Sequence, residues 1–163
     1  MPPSDFTITK IGPESDLILR NLFEHYIHDM AEWFEIDTQS DGSYSYDTSS
    51  IWAKGYDAYL AKLGDSLAGF AIIGDADDWL SEGACDVHEF FVIRRYRRSG
   101  LGFKMATFLW NERPGKWLVR VLETNPAVGF WRRIIATYSG GAFQEVAHTE
   151  NGRAWRFFKF VSR

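Results

Sequence analysis

Residues 89–105 read EFFVIRRYRRSGLGFKM. The first five are aromatic, β-branched or acidic and read as a strand running to Ile93. Arg97-Arg98-Ser99-Gly100-Leu101-Gly102 then breaks the strand, and Leu101, Met105, Phe108 and Leu109 fall on one side of a helix that signals from Gly100. Glycines at 100 and 102 let the backbone turn tightly and meet a ligand with no Cβ in the way. The unbonded N–H groups at the start of such a helix converge, and the helix dipole adds to them. Arg97 and Arg98 supply fixed positive charge suited to phosphate. The segment therefore predicts a pyrophosphate cradle at a strand-to-helix turn. A surface loop with glycines for turning and arginines for solubility is the alternative. The third glycine of a dinucleotide fingerprint is absent, as is the Gly-Lys-Ser/Thr ending of a P-loop.

Outward from this turn the chain alternates cleanly. Upstream, Phe6–Ile11 has period two, and Gly12-Pro13 ends it. Leu19, Leu22, Phe23, Tyr26, Ile27, Met30 and Phe34 form the stripe of one long helix, and Ser15 or Asp16 can cap it. Residues 37–50 are polar and small and predict a loop. Tyr56–Leu63 and Leu67–Ile73 predict a hairpin around Gly64-Asp65-Ser66, and 75–83 a second loop. Val87–Ile93 is the strand into the turn. Downstream, Trp117–Leu122 predicts a strand, Pro126–Tyr138 a helix stopped by Gly140-Gly141, and Phe143–His148 and Trp155–Phe160 a hairpin on Asn151-Gly152. The order is β-α-β-β-β-α-β-α-β-β. Residues 85–138 should hold neighbouring parallel strands and the two ends antiparallel ones, in a mixed α/β (α+β) sheet.

At 163 residues, with 45% apolar and 17% aromatic content, the chain predicts one folded domain over 1–163. A net charge of −4 argues against general nucleic-acid binding and suits a cationic partner. No apolar run reaches membrane-spanning length. MPPSDFTITK lacks a signal peptide's charged and apolar regions, and Cys85 is the single cysteine, so a cytoplasmic location is expected. His25-x-x-His28 shows no third ligand, and no metal site is expected.

Two segments carry a resemblance. Val92, Arg97, Gly100 and Gly102 match, with every spacing, the motif Val, three or four residues, Gln/Arg-x-x-Gly-x-Gly/Ala. Downstream, Asn125-Pro-Ala-Val-Gly-Phe130-Trp131 is similar to a second motif, an Asn after a strand followed by a helix with an aromatic pair. Both belong to the GNAT N-acetyltransferase superfamily, whose element order the whole chain resembles. NPAVGFWRRIIATYSGG further resembles a little-characterised branch of predicted bacterial acetyltransferases.

The resemblance implies a twisted, mostly antiparallel sheet of about seven strands with about four helices, and acetyl-CoA as co-substrate. Backbone groups of Phe91, Val92 and Ile93 would pair with the pantetheine arm. Arg97, Arg98, Ser99, Gly100, Leu101 and Gly102 would hold the pyrophosphate. Asn125 would touch the pantetheine region, and Phe130 and Trp131 would line the thioester channel. Many members carry at the position of Trp131 a tyrosine that protonates the leaving thiolate, and indole is no useful acid at neutral pH. Either Trp131 only packs and donates a hydrogen bond, or another group or water supplies the proton; Tyr138, two turns on, is the substitute candidate. The spacing from Asn125 is also one residue shorter than in many members.

A protonated amine must lose a proton before it can attack a thioester. Glu89, on the strand where the family often places a carboxylate, is the candidate base, with His88 on the opposite face as runner-up. The helix Leu17–Phe34 and loop 37–50 would form the acceptor side, with Tyr26, Asp29, Trp33, Tyr44 and Tyr46 as an aromatic, mildly acidic wall. The reaction implied is acetyl transfer to a primary amine of a small molecule or peptide. A non-catalytic CoA-binding module is the alternative, a nucleic-acid patch at Arg94–Arg98 a third reading, and a homodimer compatible with each.

Overall fold

The computed structural model describes residues 5–76, 79 and 83–163. In chain order these form β1 (Phe6–Ile11), α1 (Asp16–Phe34), α2 (Ser49–Ala53), β2 (Asp57–Leu63), β3 (Ser66–Asp75), β4 (Cys85–Val92), α3 (Leu101–Glu112), β5 (Gly115–Leu122), α4 (Ala127–Ser139), β6 (Phe143–Glu150) and β7 (Arg153–Ser162). Hydrogen bonding orders the strands β1-β2-β3-β4-β5-β7-β6. β4 and β5 are parallel, through Cys85↔Trp117 and Asp86↔Leu118, while β1–β2, β5–β7 and β6–β7 are antiparallel. The mixed seven-stranded sheet with four helices is the expected fold, and the parallel pair falls inside 85–138 as expected.

The chain divides into two compact units, and β3 and β4 each run from one into the other. The first holds the chain up to Ile72 together with Glu89–Gly102. Its core is the apolar stripe of α1, Leu19, Leu22, Phe23 and Ile27, packed on Leu60, Phe70, Ile72 and Phe91. Gly69 lets β3 and β4 approach: a Cβ there would lie 2.3 Å from the Phe91 carbonyl oxygen. Residues 49–53, read in part as loop, form the short helix α2. Its own propensity is low, and tertiary contacts decide it. Ile51 enters the core, and Thr48 Oγ1 and Trp52 Nε1 both donate to Asp16 at 2.7 Å. These two bonds, Thr48 first, hold the Asp16 carboxyl below the usual aspartate range.

The second unit holds Ile73–His88 and Phe103–Arg163. Trp110 of α3 meets Trp131 and Tyr138 of α4 and Phe160 of β7, joining both helices to one side of the β5–β7 pair. Buried Asp86 accepts two bonds from Arg120 on one oxygen, tying β4 to β5. The β6–β7 hairpin turns on Asn151 (φ 51°) and Gly152 (φ 74°), a two-residue turn with both φ positive, as their chemistry demands. Gly140 (φ 62°) closes α4. Strand ends differ from the sequence reading by a few residues: β3 extends to Asp75, β4 starts at Cys85 and β7 runs to Ser162. Most of the loop expected over 75–83 lies outside the described residues.

Candidate active site

The first unit carries Glu89 and the whole turn. Glu89 projects toward α1, where Tyr26 Oη donates to its Oε2 at 2.5 Å. The Tyr26 ring is wedged by Phe23, Phe70 and Phe91 at centroid distances of 5.8, 5.5 and 5.7 Å. Tyr46, from the loop after α1, stacks on Phe23 at 4.4 Å. Burial first, and then the charge of Glu89, pushes its phenol up to about 12. One phenol thus bonds the carboxylate, and a second feels its charge. The loop that delivers Tyr46 is pinned to α1, since Glu24 accepts the backbone N–H groups of Tyr44 and Ser45 at 2.8 and 3.0 Å.

Beyond Glu89 the strand ends in a left-handed turn. Arg98 (φ 61°) and Gly100 (φ 85°) both occupy the left-handed region just before α3. Arg97 before them is extended (φ −69°, ψ 156°), so the chain changes direction sharply here. Ser99 Oγ donates to Tyr96 O at 2.6 Å, which braces the turn. Leu101 is fully buried, so only its backbone faces the turn.

Two expected contacts narrow here. Ile93 donates its N–H to Ala68 O and accepts from Tyr96 N, each at 2.8 Å, so both of its backbone groups are engaged within the protein. The strand-addition role rests on Phe91 and Val92, and Val92 O already accepts Arg97 Nε at 2.9 Å. Arg97 also pairs with Asp29 of α1, which holds Arg94 on its other oxygen at 2.8 Å. Asp29, expected as part of an acidic acceptor wall, is therefore neutralised by two guanidinium groups, and Arg97 serves the turn from a fixed position.

His88 belongs to the second unit. Its Nδ1 lies 3.1 Å from Asp86 Oδ2 and its Nε2 3.1 Å from Asp75 O. With both ring nitrogens engaged, it is a structural histidine rather than a base waiting for a proton.

The remaining candidates lie on or beside α4 in the second unit. Asn125 Oδ1 accepts the Ala127 N–H at 2.8 Å and caps the helix start. Phe130 and Trp131 meet edge to face at 5.1 Å, and Trp131 is buried. Tyr138 stands near the far end, roughly 16 Å of helical rise beyond Ala127. Its hydroxyl donates to Asn111 Oδ1 at 2.7 Å, and burial raises its pKa, which makes it a weaker acid. α4 thus separates Asn125 and Tyr138 by its own length.

Sequence reasoning named Tyr26 and Asp29 as wall residues and missed what each of them holds. Their one-turn spacing on α1 was legible; the 63-residue separation of Tyr26 from Glu89 was not. Gly69 gave a local signal, since a lone glycine in a strand marks close backbone approach.

In the first unit, one stretch of chain thus carries Glu89 and, beyond it, the turn before α3 with positive φ at Arg98 and Gly100. Residues 23–135, more than half of the chain, match the acetyltransferase (GNAT) family, and the chain belongs to that family. No curated protein matches the sequence significantly. Among solved structures, the chain is similar to yncA of Salmonella typhimurium, assigned as an acetyltransferase and solved with its cofactor acetyl-CoA, at 16% identity and TM-score 0.65, over 98% of this chain and 95% of that one. It is similar to a GNAT-family acetyltransferase of Streptococcus agalactiae at 17% identity and TM-score 0.70, over 97% and 96%. The ribosomal-protein-S18-alanine N-acetyltransferase of Escherichia coli matches at 18% identity and TM-score 0.63, over 96% and 94%.

Proposed function

We propose that this chain is an acetyl-CoA-dependent N-acetyltransferase, working as one domain, that transfers acetyl directly to a primary amine of a small molecule or peptide. The observation that carries the reading is the single segment Glu89–Gly102, which joins an anchored carboxylate to an anion-binding turn. In this reading the turn holds the pyrophosphate through backbone N–H groups, with Arg97 and Arg98 beside it. Phe91 and Val92 offer backbone groups to the pantetheine arm, and Asn125, Phe130 and Trp131 serve the thioester end. Glu89 takes the proton that the attacking amine sheds. The nitrogen–carbon bond forms, the carbon–sulfur bond breaks, and the thiolate leaves with a proton from water or another group, because the Trp131 indole is no acid near neutral pH.

Support for an amine acceptor comes from the carboxylate of Glu89, the aromatic surroundings of Tyr26 and Tyr46, and the similar fold of the ribosomal-protein-S18-alanine N-acetyltransferase. Free-thiol release from acetyl-CoA against a panel of primary amines and peptides tests it: turnover with at least one amine is expected. Tight CoA binding with no thiol release from any acceptor would favour the second reading, a CoA-binding module without catalysis, for which buried Trp131 in place of a tyrosine speaks.

A further inference from the structure

Tyr26 is partly buried beside Glu89 and held on several sides. Three aromatic rings from α1, β3 and β4 clamp it, which leaves the phenol little freedom to swing away from the carboxylate. Its single side-chain bond crosses from α1 to β4 and ends on Glu89 Oε2. Burial, followed by the charge of Glu89, keeps its pKa well above the ordinary tyrosine value, with a backbone hydrogen bond from Phe90 opposing. The phenol therefore stays protonated, and a donor to Glu89, throughout the physiological range.

We propose that Tyr26 is the positioning residue of the general base, fixing one oxygen of Glu89 and setting the pH at which the carboxylate becomes available to the acceptor amine. This rests on the assignment of Glu89 as the base. In this proposal Tyr26 acts on transfer through Glu89. A donor to a carboxylate favours its charged form, so loss of the donor moves ionisation to higher pH.

The test is a double-mutant cycle over Tyr26→Phe and Glu89→Gln, with kcat/KM measured against pH, CoA affinity by calorimetry and folding by thermal melts. Phe keeps the ring among its three neighbours, so CoA affinity stays within about twofold. The acidic limb of the Tyr26→Phe profile moves up by about one pH unit or more, the size of a lost hydrogen bond to a charged group. On that limb kcat/KM falls about tenfold, and Tyr26→Phe adds no further loss in the Glu89→Gln background. If the Phe variant folds poorly, 3-fluorotyrosine at position 26 keeps the shape, strengthens the donor and moves the limb to lower pH. An unmoved limb in either variant, or additive losses in the double mutant, overturns the role of Tyr26 while leaving an impaired Glu89→Gln as support for the base. A Glu89→Gln enzyme at the wild-type rate overturns the base assignment itself, and the role of Tyr26 with it.

Discussion

The two units carry their candidate residues in different ways. In the first, polar groups are tied by polar groups from elsewhere in the chain: Glu89 by Tyr26, Arg97 by Asp29 and Val92, Ser99 by Tyr96. In the second, Phe130, Trp131 and Tyr138 pack ring against ring, and the ion pair of buried Asp86 with Arg120 ties strand to strand. Side chains locked by hydrogen bonds hold a charge in a given place, whereas packed rings hold a shape. On the proposed function, the first unit would do the proton chemistry and the second would supply packed aromatic surface.

The sharpest way to break this contrast is Glu89→Gln, which keeps the shape and removes the basicity. Its kcat/KM at neutral pH should fall by about 10²–10⁴, the usual size for a lost general base, and its acidic limb should vanish while CoA affinity holds. A rate within a few-fold of wild type would place the chemistry elsewhere. The matching experiment in the second unit is Asp86→Asn, which leaves the half-buried Arg120 without its countercharge. Stability should drop by about 3–5 kcal/mol, read by urea denaturation, since breaking one side of a buried pair is costly. In molecules that remain folded, the pH profile of transfer should keep its shape; a displaced limb would mean that this pair also serves the chemistry.

Smaller effects sharpen the comparison. Tyr138→Phe should lose about 0.5–1.5 kcal/mol, one hydrogen bond to Asn111, with kcat within about twofold of wild type. A fall comparable to that of Glu89→Gln would restore Tyr138 as the acid. The smallest change concerns Asp16. Its carboxyl is held below the ordinary value, so the stability it lends is fully present above the unfolded aspartate value of about 4 and is lost as pH falls through the lowered folded value. Asp16→Asn should therefore lower Tm at pH 7 and converge with wild type at strongly acidic pH. Parallel melting curves down to pH 2 would remove Asp16 as the tie between α1 and α2.

Local rules were enough for most of the framework. Period-two and period-3.6 patterns placed the long elements, and Asn151-Gly152, Gly140 and Gly100 announced their turns, because positive φ is a single-residue demand that glycine and asparagine meet cheaply. The turn before α3 was legible for the same reason, since its backbone geometry is written in consecutive residues. The helix α2 was not legible: Ser49–Ala53 is helical only because Asp16 and the core hold it. Nor could the sequence show that Asp29 would be neutralised by Arg94 and Arg97, that Ile93 would spend both backbone groups internally, or that Tyr26 would reach Glu89. Those pairings join residues distant along the chain, and nothing in local propensity encodes which distant partner a side chain meets. The sequence by itself determined where the chain turns and which faces are apolar. Only the tertiary structure decided which carboxylate is neutralised by arginines and which is left in the company of a phenol, because that choice depends on how α1 packs across β4.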